Sequence, residues 1–189
     1  LGPAFTRVTV PAGTSLLVSG PPLEGVRANA LAPLTYGGRA GDSVLVVSMR
    51  YGGESILSEL EGAVDGAPLR VVDCVSEQQG RALDDERVRH ARSPADLTGI
   101  GIEFSAALET LDGQTRVLFD SLTMLKQYAA AGAIAGFVRG FTDRIEETDA
   151  LALATVERPA LDDADFRALE ELFDATAHVE SGSVVETTL

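Results

Sequence analysis

The stretch that most constrains this chain is Gly20-Pro21-Pro22-Leu23-Glu24-Gly25-Val26-Arg27, between an apolar run at residues 15–19 and a helix-forming stretch at 28–36. Strand, glycine loop and helix in that order are the setting of a phosphate-binding loop, whose pattern is G-x-x-x-x-G-K-[ST]. Gly20 and Gly25 have the required spacing, but Val26 stands where the lysine belongs and Arg27 where the hydroxyl belongs. That lysine would reach the β- and γ-phosphates, and the hydroxyl would bind Mg²⁺. Glu24 adds a carboxylate to a loop whose backbone N–H groups would otherwise attract an anion. The position is that of a phosphate loop; the chemistry is not.

The rest of the chain alternates strand-like and helix-like stretches. Residues 14–19, 43–48, 69–75, 115–120 and 150–156 are apolar runs of the kind found in strands buried on both faces. Helical stretches are expected at 28–36, ending at Gly37-Gly38, and at 54–64, 100–111, 121–127, 137–147 and 162–173. Residues 4–10 alternate as an edge strand would, and 176–180 and 183–187 are two short strands around Ser181-Gly182. The polar segment 76–93 reads as a surface excursion, and the small-residue patch 129–136 as a lead into the following helix. Strands separated by helices imply right-handed crossovers and a mostly parallel sheet. Ligands of such sheets bind at the carboxyl ends of the strands, where Gly20, Arg50 and Asp120 would converge. The 189 residues suit a single domain, 1–189, with an α/β core.

Charge narrows the setting. Asp and Glu total 29 against 15 Lys plus Arg, a net charge of −14, and Lys126 is the single lysine. Such a surface resembles cytosolic proteins of salt-accumulating haloarchaea, where molar salt screens the self-repulsion. No basic patch faces a phosphate backbone, so no nucleic-acid partner is expected. No apolar run is long enough to span a membrane, and no basic stretch precedes an apolar one as in a signal peptide. A membrane partner is therefore not expected. Cys74, the only cysteine, is compatible with a cytoplasmic location.

With the loop, the second strand and Val117-Leu118-Phe119-Asp120-Ser121-Leu122-Thr123 in view, the chain resembles the RecA/KaiC-like P-loop ATPases. It looks most like the degenerate RecA-like proteins of haloarchaea, some labelled HTR-like. The resemblance implies a three-layer RecA-like P-loop NTPase fold. It also implies that Asp120 matches the acid that holds the Mg²⁺ water shell; a strand-end Asp capping the next helix is the other reading of that residue. Active members carry a catalytic Glu after the second strand, where this chain has Ser48-Met49-Arg50-Tyr51 and no acid before Glu54. Lysine, hydroxyl and general base are thus all missing, and no catalytic residue is assigned. Gly20, Pro21, Pro22, Gly25, Arg27 and Asp120 remain as the candidate binding positions. Arg27 and Arg50 either supply cations to a phosphate, or serve surface solubility or ion pairing with Glu24 or Asp120.

His90 and His178 are far apart with no ligand-like spacing, so no metal site is expected, and no motif joins Ser19 or Ser121 to a histidine. The expectation is a non-catalytic RecA/KaiC-like regulatory or assembly module with no required cofactor. Its expected partners are copies of itself, as a homo-oligomer, or a RecA-like paralogue. The alternative is an ATP-binding protein or weak ATPase that uses Arg27 and Asp120 with Mg²⁺.

Overall fold

The computed structural model describes Phe5 and residues 9–188. Among the described residues eight strands form one sheet: β1 (Ser15–Gly20), β2 (Ser43–Ser48), β3 (Leu69–Asp73), β4 (Val88–His90), β5 (Thr115–Asp120), β6 (Leu151–Glu157), β7 (Ala175–Glu180) and β8 (Ser183–Thr188). Their spatial order is β4-β3-β2-β5-β6-β1-β7-β8. Every pairing is parallel except β7 with β8, a hairpin at one edge. Of the expected strand at 4–10, residues 4 and 6–8 lie outside the described residues; Phe5, Thr9 and Val10 are described and are not in a strand.

Helices α1 (Val26–Arg39) and α2 (Gly53–Leu60) cover one face. The other carries α3 (Leu97–Leu108), α4 (Leu122–Leu125), α5 (Ala131–Glu147) and α6 (Asp163–Glu170). The continuous apolar strands supply both cores at once. Leu45, Val47, Val117 and Phe119 join Phe104, Val138 and Phe141 on the α3–α6 side. Val44, Val46 and Leu118 join Leu34, Ile56 and Leu60 on the other. The result is a three-layer α/β fold, with β5, β6 and β1 interior to the sheet as their two-sided hydrophobicity requires. No helix among the described residues is long and apolar enough to cross a membrane.

Four differences from the sequence reading have physical reasons. Helix α1 does not stop at Gly37-Gly38 but runs through both to Arg39. A Cβ at Gly38 would lie 2.7 Å from the Val64 Cβ, and one at Gly37 would lie 2.7 Å from Arg116 side-chain atoms. These glycines let the helix approach its neighbours rather than end it. Segment 76–93 is not wholly an excursion, because Val88–His90 pairs with Val71–Asp73 as β4. A three-residue strand has no periodicity of its own and exists through its partner. Helix α3 begins at Leu97 because Asp96 accepts the Gly99 N–H at 2.9 Å as its cap. Most of the small-residue patch lies inside α5, which begins at Ala131.

Candidate functional site

The loop leaves β1 at Gly20 and enters α1 at Gly25. Gly25 takes the left-handed conformation, φ +85°, that closes this turn, so its lack of a side chain is required there. Gly20 is required for a different reason: a Cβ would lie 2.5 Å from the carbonyl oxygen of Val179 on β7. The Pro21 carbonyl accepts the Glu24 N–H at 3.4 Å, and Pro22 and Leu23 are exposed at the tip. Leu23 projects fully into solvent while holding φ +63°. Among the described residues no side chain caps the start of α1.

The first turn of α1 directs Arg27 across the carboxyl ends of the central strands. Its Nε donates to Asp120 Oδ2 at 2.6 Å, while Nη1 and Nη2 donate to Glu59 Oε1 and Oε2 at 2.7 and 2.6 Å. The guanidinium carbon also lies 4.9 Å from the centre of the Tyr51 ring, within cation–π range. The hydrogen bonds to Glu59, followed by those to Asp120, hold the Arg27 pKa above its ordinary value. Reciprocally, the bond from Arg27 depresses that of Glu59. Asp120 is only 2 % exposed, and its Oδ1 accepts the Thr155 hydroxyl at 3.2 Å. One strand over, Arg50 pairs with Glu157 at 2.9 Å.

Arg27, Arg50, Asp120, Ser121, Thr155 and Glu157 enclose a cavity of about 30 Å³, which suits a water or two. Within it the Ser121 hydroxyl is buried without a hydrogen-bond partner among the described residues. Arg50 and Asp120 thus line one cavity together with Arg27, but Arg50 pairs with Glu157 rather than with Glu24 or Asp120, the partners expected for it. Gly20 does not line this cavity and packs against β7 instead. Of the two ion-pair partners considered for Arg27, Asp120 is engaged; Glu24 turns away to accept the Ser181 N–H. Nothing in the sequence marks Glu59, Tyr51, Thr155 or Glu157 as belonging to this site. Glu59 sits on α2, 32 residues from Arg27, and reads in sequence as one more acid on a solvent-facing helix.

A second polar cluster lies at the end of β3. Burial alone would raise the pKa of Asp73, but hydrogen bonds from Ser76 and the Gly53 and Val75 amides outweigh it and lower the value. Asp73 thereby fixes the start of α2 to the turn after β3, and His90 Nδ1 lies 3.8 Å from its Oδ2. His178 and Ser19, unrelated by any motif, face each other across β7 and β1, with Nδ1 3.4 Å from Oγ. Ser19 is 4 % exposed and its hydroxyl also reaches the Ala177 carbonyl, which describes a strand-end contact rather than a presented nucleophile. Among the described residues no three His, Cys, Asp or Glu side chains are grouped to hold a metal.

A family described as a family of unknown function (DUF7504) matches residues 13–179. No curated protein matches the chain.

Proposed function

The chain belongs to this family of unknown function (DUF7504), and we propose that it is a non-catalytic RecA/KaiC-like module of the P-loop type. The observation that carries this is the position of Arg27. In an active member the residue at this place offers a hydroxyl to Mg²⁺, and the strand-end acid holds the metal's water shell. Here a guanidinium donates directly to Asp120 and Glu59. A fixed cation of the protein occupies the neighbourhood a metal would need, and its charge is already neutralised. The missing lysine at Val26 and the missing base at Met49-Arg50 act in the same direction. Such a module serves by shape and assembly, side by side with copies of itself or with a RecA-like paralogue, in a salt-rich cytosol.

The test is calorimetric titration with ATP and Mg²⁺ in molar KCl, alongside a phosphate-release assay. The expected outcome is no heat beyond dilution and no phosphate release above the blank. Micromolar binding that disappears in Arg27→Ala would favour the competing reading, in which Arg27 leaves its carboxylates to grip a phosphate bidentately. Turnover abolished by Asp120→Ala would overturn the non-catalytic part.

A further inference from the structure

We propose that the β7–β8 turn is a strap on the Gly20–Gly25 loop, fastened through Glu24, so that loop and hairpin open together. Three groups of contacts converge on this point. Glu24 accepts twice from the hairpin turn: its Oε2 from the Ser181 N–H at 2.8 Å and its carbonyl from the Gly182 N–H at 3.1 Å. Asn29, on the first turns of α1, donates from Nδ2 to the Gly25 and Gly182 carbonyls, both at 3.0 Å. The backbones are in close packing, since a Cβ on Gly25 would lie 3.3 Å from the Gly182 Cα.

Both sides of the contact hold unfavourable backbone. Ser181 at φ +49° and Gly182 at φ +81° form the tight hairpin turn, and Leu23 holds φ +63° in the loop opposite. Left-handed conformations at non-glycine residues persist where surrounding contacts over-determine them. Leu23 has no burial to hold it, being fully exposed. The fastening of the next residue, Glu24, is what the structure offers in its place.

The other end of the strap is β8, which among the described residues is the edge strand and pairs only with β7. An edge strand with one neighbour is among the first elements to open, because few contacts oppose it. Pulling β8 away, for instance by a competing strand at that edge, withdraws Ser181 and Gly182 from Glu24. An event at the sheet edge is thereby transmitted to the loop. The strap follows from these contacts alone and stands whether or not the nucleotide reading holds.

Amide hydrogen exchange on the full chain tests it, comparing the unaltered protein with Glu24→Ala, Glu24→Gln and Asn29→Ala. Glu24→Ala is expected to speed exchange about tenfold or more at Ser181 and Gly182 and also at residues 25–29, leaving β5 and β6 protected. Asn29→Ala should affect the same two segments from the other side. Glu24→Gln keeps an acceptor oxygen and should fall between. Acceleration at Ser181 alone would reduce the contact to one lost hydrogen bond and overturn the coupling. Unchanged rates in both alanine variants, or acceleration spread equally through β5 and β6, would overturn it as well.

Discussion

Arg27 makes three charge-assisted hydrogen bonds to two acids, only one of which is buried. Glu59 is half in solvent, and its share of the stability is small because exposed pairs are screened. Asp120 is different: removing the guanidinium leaves an interior carboxylate whose remaining side-chain hydrogen bond, among the described residues, is the one from the Thr155 hydroxyl. Arg27→Ala should therefore cost about 3 kcal/mol, the lower end for breaking a buried pair. Arg27→Ala combined with Asp120→Asn should recover much of that loss, and a urea-denaturation cycle over the four proteins measures it. Asp73 gives a pH prediction. Its folded pKa is lowered, so its stabilisation is complete above the unfolded value of about 3.9 and is lost as pH falls through the folded one. Asp73→Asn should be less stable than the parent at pH 7, and the difference should narrow progressively below about pH 4. Equal differences at pH 7 and pH 3 would refute this.

At the scale of elements, the same substitution is expected to have opposite signs in two helices. Gly38→Ala brings a Cβ to 2.7 Å from the Val64 side chain, so crowding of about 1–3 kcal/mol should exceed the helix-propensity gain of about 1 kcal/mol. Gly136→Ala in α5 meets nothing within 4 Å and should stabilise by about 0.5–1 kcal/mol. Thermal melts of the two variants decide it. The pair also explains how far the sequence was legible. Strands β1, β2, β5 and β6 announce themselves because two-sided burial demands an unbroken apolar run. A glycine in a helix carries no such mark: whether it ends the helix or admits Val64 depends on a residue far along the chain. Strand β4 and the Arg27–Glu59 pair were hidden for the same reason, since each is defined by a partner distant in sequence. Arg27 and Asp120 could be singled out because they flank a spaced motif and end an apolar strand; Thr155 and Glu157, at the end of another such strand, carried no motif.

For the whole molecule, the dominant quantity is the charge of −14. The described ion pairs engage many of the arginines locally, but the acids outnumber the cations, and the excess repels itself at low ionic strength. Stability should rise from dilute buffer into molar KCl, where the screening length shrinks to about 3 Å. Equal melting temperatures at 0.05 and about 2 M KCl would contradict the halophilic reading.

The trio of Arg27, Asp120 and Glu59 also limits how this protein can drift. Replacing Arg27 first strands a buried carboxylate, and replacing Asp120 first leaves the guanidinium held on one side only. A route from Arg27 to a small hydroxyl residue therefore descends through a weaker intermediate before it can climb again. Selection on folding alone would resist that change, whatever advantage lay beyond it. The arrangement works as a ratchet, with the notch cut in by stability rather than by activity.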